Sequence, residues 1–284
     1  MVSIGELMAE CKAELERSGV YSPDFDARCI FEDCLELRNI YLHREKPVSA
    51  ADAAKIRRMI HRRAQGEPLQ YLLGSWDFFG YMFRIGEGVL IPRSDTETLV
   101  EQALDICTEN GMKSPEIADL CSGSGCIAIT LKMELPDAEI HAVELSDKAL
   151  KYLEYNKNQY SADITVHCAD VLNPETAARF RNLDMIVSNP PYLTESDMEE
   201  LQKEVRCEPE MALYGGYDGL DFYRTMCPVW RESLREGGFI LFEFGMGQHE
   251  AVSEILKNNG YENIQLRRDA AGIIRTVSAR KKRR

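Results

Sequence analysis

Positive charge is in short supply here: 34 Lys and Arg stand against 47 Asp and Glu, a net charge of −13 over 284 residues. A surface of that sign repels phosphates, which disfavours a dedicated nucleic-acid binder while leaving room for a local basic patch. Paired cysteines are missing too. Nine cysteines, an odd number, run from Cys11 to Cys227 without one C-x-x-C, so no disulfide framework or zinc site is expected and most should be reduced, buried small hydrophobes. The five histidines (His43, His61, His141, His167, His249) form no H-x-x-x-H pattern, and no metal is expected. No apolar run approaches the ~20 residues that span a bilayer. The stretch from Met1 to Glu16 carries acids where a signal peptide needs an apolar core. We therefore expect a cytoplasmic, monomeric protein without membrane contact.

What is present divides into three parts. The first 68 residues read as a small helical unit, with apolar residues at helical spacing in Ile4, Leu7, Met8 and Cys11, then in Ile30, Phe31, Cys34 and Leu35. A third run, Ala50 to Ala64, is rich in Lys55, Arg57, Arg58, Arg62 and Arg63 and reads as a solvated helix face. Residues 69–92 change character, with aromatics punctuated by Gly74, Gly80, Gly86 and Gly88, which predicts a β-hairpin between domains. Ser94-Asp95-Thr96-Glu97 then reads as a capping box that opens a helix. Residues 93–284 form the third part. Strand patterns at Ile117–Cys121, Glu139–Glu144, Ile164–Ala169, Asp184–Ser188 and Phe239–Phe244 alternate with helical stretches. Two more β-like runs lie near Tyr261–Leu266 and Ile273–Ser278. That alternation implies an α/β domain with a mostly parallel sheet, whose ligands bind beyond the carboxyl ends of the strands. The tail Arg280–Arg284 reads as a disordered solubilising end.

Two segments carry chemistry. The first is Asp119-Leu120-Cys121-Ser122-Gly123-Ser124-Gly125-Cys126-Ile127-Ala128, a strand-to-helix loop whose glycines permit a tight turn and close ligand approach. Glu144 lies at the distance expected of a carboxylate that takes a ribose hydroxyl pair. NAD and S-adenosylmethionine compete for such a loop. A carboxylate at Asp119 would crowd a pyrophosphate but suits an ammonium group, and Asp170 at the next strand end suits an adenine amine. Both acids could instead be helix caps. The balance favours S-adenosylmethionine.

The second segment is Asn189-Pro190-Pro191-Tyr192, after the apolar run Met185-Ile186-Val187. An amide or exocyclic base nitrogen has a delocalised lone pair and is a poor nucleophile. The Asn189 side-chain oxygen and the Pro190 carbonyl can accept its two N–H groups and hold it as it pyramidalises. Pro190-Pro191 makes a stiff turn, and Tyr192 offers a stacking face. The bland alternative is a turn that merely ends a strand.

Gly66-Glu67-Pro68-Leu69-Gln70-Tyr71, Leu90-Ile91-Pro92-Arg93-Ser94-Asp95-Thr96-Glu97, the glycine loop and Asn189–Tyr192 occur in this order, followed by Glu208-Pro209, Ala212-Leu213, Gly215-Gly216 and Asp218-Gly219-Leu220. Together they resemble the HemK-type protein-(glutamine-N5) methyltransferases over nearly the whole chain. The resemblance implies a Rossmann-like, S-adenosylmethionine-dependent methyltransferase fold with a seven-stranded sheet, a helical substrate-recognition domain over 1–68, and a hairpin linker over 69–92. It implies methylation of the glutamine in the Gly-Gly-Gln motif of peptide chain release factors, proteins of translation termination. Asn189 and Pro190 would hold the glutamine amide, with Pro191 and Tyr192 forming its pocket. Cys121, Ser122, Gly123, Ser124, Gly125, Glu144, Asp119, Asp170, Val171 and Asn189 would line the cofactor. Two positions depart: Ser94 stands where the family usually has proline, and Cys121 where glycine is frequent.

Two other readings remain open at this point. A DNA or RNA adenine-N6 methyltransferase shares the Asn-Pro-Pro-Tyr motif. Eight acids against two bases over residues 190–220 argue against a phosphate backbone at that mouth, and no stable nucleic-acid complex is expected. A non-catalytic cofactor-binding partner protein is the third reading.

Overall fold

The structure is a computed structural model and describes residues 2–283. The chain packs as two compact units. One takes the residues up to Ser75 together with Gln202–Cys207; the other takes Trp76–Leu201 and the chain from Glu208 onward.

The first unit is built on three mutually packed helices, α1 (Ile4–Arg17), α2 (Pro23–Leu35) and α3 (Ala50–Ala64). Ser3 and Glu6 form a reciprocal capping box at the start of α1, and Ser49 caps α3 by accepting from the Asp52 N–H. Ile4, Leu7, Cys11 and Leu15 of α1, Ile30 and Phe31 of α2, and Ile56 and Ile60 of α3 are all buried. The basic face of α3 is laced rather than merely solvated. Arg57 reaches Glu10, Lys55 reaches Asp33, and Arg62 reaches Glu67. Arg63 is buried and bonds Asp26 at 2.6 Å, and its other end meets Glu204 of the 202–207 segment.

The expected hairpin is shorter than residues 69–92. Leu69–Leu73 forms a short helix, α4, closed by Gly74 in the left-handed region; the strands are β1 (Ser75–Phe78) and β2 (Tyr81–Arg84). Next comes α5 (Ser94–Glu109), and here the capping box does not form. Arg93 is the N-cap, without a side-chain bond, so Ser94 is the first helical residue. The Glu97 carboxylate instead accepts from the Phe79 N–H at 2.9 Å.

The sheet strands follow in alternation with helices: β3 (Glu116–Leu120), α6 (Cys126–Glu134), β4 (Glu139–Glu144), α7 (Asp147–Tyr160), β5 (Ile164–Cys168), α8 (Pro174–Ala177), β6 (Leu183–Ser188) and α9 (Glu195–Glu199). The last part holds α10 (Asp221–Arg231), β7 (Leu234–Glu243), α11 (His249–Asn258), β8 (Tyr261–Arg268) and β9 (Ile274–Lys281). Seven strands form one sheet in the order β5-β4-β3-β6-β7-β9-β8. All neighbours are parallel except those that β9 makes with β7 and β8. This is the expected mostly parallel α/β sheet. Side chains alternate between two apolar clusters, Ala118, Ile186 and Ile240 in one and Ile117, Met185 and Leu241 in the other. A sheet covered on both faces requires this of its central strands.

Strand β9 runs further than the sequence suggests and absorbs the start of the basic tail. Arg280 donates to the Gly237 carbonyl, and buried Lys281 donates to the Leu234 carbonyl at 2.7 Å. Arg284 lies outside the described residues.

Candidate active site

Register places the chemistry. Leu120 pairs with Val143 and Ser188, Glu144 with Cys168, and Ser188 with Phe242. The turns after β3, β4, β5, β6 and β7 therefore share one edge of the sheet. The chain leaves β3 for β4 on one side and β6 pairs on the other, so the switch point lies between β3 and β6.

The glycine loop is held from several directions. Ser122 N–H donates to the Val143 carbonyl at 3.1 Å, and Gly125 N–H to the Ser122 carbonyl at 2.8 Å. Glu144 accepts from Gly123 N–H at 2.8 Å through one oxygen and from Ser146 N–H at 2.7 Å through the other. Buried Asn156 of α7 donates to the Ser124 carbonyl and exchanges two bonds with the backbone of Arg84. Gly125 has φ +81°, and a Cβ there would sit 3.0 Å from both Ile129 and Leu153, so conformation and packing both demand glycine. Cys121 occupies the left-handed region with φ +62°, a conformation that glycine adopts without strain. Burial pushes its thiol well above the usual range.

Asp119 does not take the place expected of it. It is fully buried beneath the loop, one oxygen accepting from Ala128 N–H at 3.2 Å, and it does not line the cavity at the strand edge. Its other oxygen finds no partner among the described residues. Burial pushes its carboxyl up to about 8. It braces the loop from below.

That cavity measures about 330 Å³, within the range of small-molecule sites. It brings together most of the residues read from the sequence: Cys121, Ser122, Gly123, Ser124, Glu144, Asp170, Val171, Asn189 and Pro191 all line it. Asp170 accepts from Leu172 N–H at 2.8 Å. Gly125, Pro190 and Tyr192 are not among the lining residues. Tyr192 packs against the core, and its phenol lies 3.4 Å from Glu243, with burial raising its pKa. The expected stacking face is therefore not offered to the cavity. Met211, Tyr214 and Phe222 line it instead.

Asn189 donates from Nδ2 to the Thr96 hydroxyl at 3.1 Å. The strap that returns over Asn-Pro-Pro-Tyr fixes the turn itself. Leu193 N–H donates to the Leu213 carbonyl, Gly215 N–H to the Leu193 carbonyl, and Gln248 to the Tyr192 carbonyl, each at 2.9 Å. A Cβ on Gly215 would approach the Pro191 carbonyl to 2.6 Å, which explains the glycine of the Gly215-Gly216 pair. Two other sequence motifs meet in the cavity wall. Glu208 accepts from Ile91 N–H at 3.0 Å and pairs with Arg93, joining Ile-Pro-Arg to Glu-Pro.

Sequence reasoning missed Thr96, Asn156 and Glu243. Glu243 is buried, and burial pushes its carboxyl up to about 7. Thr96 sat inside a motif read for helix capping; nothing local marked the other two.

The cavity fits S-adenosylmethionine. Carboxylates stand at two neighbouring strand ends, Glu144 and Asp170, with apolar walls between them. A Cβ on Gly123 would meet nothing nearer than Val89 at 3.9 Å, so that glycine leaves open a space on the loop that a ligand can enter. Methyltransferase architecture is also what known structures show. A methyltransferase from Pyrococcus furiosus superposes with a TM-score of 0.52 at 14% identity, covering 72% of this chain and 91% of its own. The T. thermophilus 16S rRNA N2 G1207 methyltransferase, solved with AdoMet and guanosine, gives 0.51 at 18% identity over 73% of this chain and 50% of its own. At such identities the likeness shows the fold.

Sequence comparison goes further. The family model described as PrmC N-terminal domain matches residues 6–74, and that of the methyltransferase small domain matches 96–210. The release factor glutamine methyltransferase of Geobacter sulfurreducens is 37% identical over 98% of this chain and 96% of its own length. That of Corynebacterium glutamicum is 34% identical over 99% and 100%. End-to-end similarity of this kind carries the helical unit as well as the cofactor cavity, and on it the chain belongs to the release factor glutamine methyltransferase family.

Proposed function

We infer that this enzyme transfers a methyl group from S-adenosylmethionine to the side-chain amide nitrogen, N5, of the glutamine in the Gly-Gly-Gln motif of peptide chain release factors. The observation that carries the reading is the placement of Asn189. It lines the same cavity as the glycine loop and Glu144, with its Nδ2 already engaged by Thr96 and its Oδ1 left as an acceptor.

When bound, the cofactor supplies an electrophilic methyl on a sulfonium. The protein supplies the rest. Asn189 Oδ1 accepts one N–H of the glutamine amide and favours the pyramidal nitrogen of the transition state, and the Pro190 carbonyl, outside the cavity lining, would accept the other once the substrate is seated. Glu144 and Asp170 supply acceptors for the ribose and adenine ends, and the loop Cys121–Gly125 carries the backbone against which the cofactor rests. Holding both reactants together removes an entropic part of the barrier. Loss of the proton from the alkylated nitrogen follows transfer, so no general base is needed beforehand.

The helical unit would serve substrate recognition, and a release factor would meet the enzyme in the cytoplasm, as a monomer without a lasting nucleic-acid complex. The acidic character of residues 190–220 supports a protein substrate less strongly than its count suggests. Glu204, Glu208 and Asp218 are paired with Arg63, Arg93 and Arg224. Mass spectrometry of a release factor incubated with enzyme and S-adenosylmethionine tests the reading, with a factor lacking that glutamine as control. One added methyl on the glutamine, absent in the control, is expected. Label entering DNA or RNA instead would overturn the substrate while leaving nitrogen methylation in place.

A further inference from the structure

We propose that Arg93, pinned by Glu208, binds the carboxylate at the amino-acid end of S-adenosylmethionine. The proposal rests on the function inferred above and deepens it by giving the cofactor's one anionic group a holder.

S-adenosylmethionine carries a positive sulfonium, a positive ammonium and a negative carboxylate on a neutral nucleoside. A carboxylate that enters a cavity with apolar walls needs donors in exchange for the water it loses. The start of α6, just past the glycine loop, is the first candidate, because helix N-termini favour anions. Here that place is taken. The N–H groups of Ser122, Gly123 and Gly125 donate to the Val143 carbonyl, to Glu144 and to the Ser122 carbonyl. In the first turn of α6 the Ala128 N–H donates to Asp119, so the protein's own carboxyl already sits at the start of that helix.

The other side of the cavity offers a cation. Among the described residues that line it, Arg93 is the sole positive side chain, against the carboxylates Glu144 and Asp170. Glu144 ends β4 and Asp170 follows β5. Arg93 leads into α5, which packs against β7 and β9 and whose Thr96 accepts from Asn189 at the end of β6. With the sheet ordered β5-β4-β3-β6-β7-β9-β8, the acids stand on one side of the switch point and the cation on the other. The cofactor has the same polarity. Its nucleoside end presents hydroxyls and an amine that seek acceptors, its far end presents a carboxylate that seeks donors, and the reactive methyl lies between them.

Glu208 makes the guanidinium a fixed group. The Glu208 side chain is 1% exposed; one oxygen accepts from Ile91 N–H at 3.0 Å and the other from Arg93 Nη2. The Arg93 side chain is 35% exposed, so it stays open to the cavity while anchored at one nitrogen. A guanidinium holds its five N–H donors in a rigid fork that matches a carboxylate, and the donors that Glu208 does not take are left for a ligand. A side chain pinned beforehand also loses less freedom when the ligand arrives. The meeting of Ile-Pro-Arg with Glu-Pro thereby acquires a chemical role.

Isothermal titration calorimetry on the full-length protein, without a release factor, tests the contact from both ends. The ligands are S-adenosylmethionine and decarboxylated S-adenosylmethionine, which lacks the carboxylate alone. Wild type should bind the first about 10–100-fold tighter, the range of a hydrogen-bonded charge pair, although Glu144 and Asp170 favour the more positive ligand. Arg93→Met should lose S-adenosylmethionine affinity by about 10–100-fold and keep the decarboxylated ligand within about threefold. Because Arg93→Met strands the buried Glu208 charge, the double variant Arg93→Met, Glu208→Gln removes that charge as well and should show the same selective loss. Equal affinity of wild type for the two ligands overturns the proposal. So does a double variant that weakens toward both ligands alike, the mark of a merely structural role, or toward neither. No release factor takes part, so the selective loss upholds the contact even if the glutamine proves not to be the substrate. Methylation of the factor by an Arg93→Met enzyme of undiminished cofactor affinity would uphold the function and refute the contact.

Discussion

The two units handle buried charge in opposite ways. In the helical unit Asp26 is buried against Arg63 at 2.6 Å, and Arg63 also meets Glu204. Burial raises the Asp26 carboxyl, and the guanidinium opposes that shift. Charge there is matched and serves packing between helices that are otherwise joined by an apolar seam. At the carboxyl edge of the sheet, Asp119 and Glu243 are just as buried but make no ion pair among the described residues; burial pushes them up to about 8 and about 7. Unmatched buried carboxyls are costly, and they concentrate where a site needs a particular polarity. The paired charge belongs to architecture, whereas the unpaired charges lie beneath the cofactor loop and behind Asn189.

The contrast can be broken from either side. Arg63→Ala should do the most damage, since it strands Asp26 as an uncompensated buried charge; a loss of about 3–5 kcal/mol is expected. Denaturation followed by helical circular dichroism would measure it, while cofactor binding to the other unit persists. A loss below about 1 kcal/mol would mean that the pair is not structural. Asn189→Ala should raise the barrier to transfer by about 2.7–4 kcal/mol, read as a fall in kcat, with stability almost unchanged. Near-normal turnover would remove Asn189 from the mechanism.

Asp119 gives a pH signature. A carboxyl whose pKa is higher in the folded chain holds its proton more tightly there than in the unfolded chain. Its contribution is therefore greatest at low pH and is lost as pH rises from the unfolded value of about 4 through about 8. Cofactor-free wild type should lose about 3–4 kcal/mol relative to Asp119→Asn between pH 5 and 8. Melting temperatures of the two proteins across that range would show parallel curves if the idea is wrong. The smallest effect expected is at Ser94, the first helical residue of α5. Proline is favoured there, so Ser94→Pro should raise stability by about 0.4–1 kcal/mol, read from the shift in denaturation midpoint.

Much of this molecule was legible in its sequence because the signals were local. The alternation of strand and helix gave the parallel sheet, and glycines after one strand with Asn-Pro-Pro-Tyr after another marked two turns on its working edge. Misreadings occurred where a local signal had a distant competitor. Glu97 has the spacing of a capping box, but the Phe79 N–H of the hairpin claims its carboxylate. Leu69–Leu73 is aromatic-flanked and glycine-bounded like a strand, yet tertiary packing makes it helical. Asp119 sits beside the glycines in sequence and beneath them in space. Thr96 and Asn189 lie 93 positions apart, and no periodicity links a threonine on a helix to an asparagine beyond a strand. Their relation comes from the packing of α5 against the carboxyl end of β6, which only the folded chain supplies.

The segment Gln202–Cys207 belongs to the helical unit although it is reached only after most of the sheet strands have been laid down. During synthesis Arg63 therefore waits for Glu204, which emerges 141 residues later. At about 5–20 residues per second that is a delay of roughly 7–28 s. For that interval the nascent helices must hold together without Glu204, on Asp26, their apolar seam and the surface pairs of α3 with Glu10 and Asp33. A fragment ending at Ser75 would reproduce this waiting state in the test tube, a snapshot of translation rather than a finished domain.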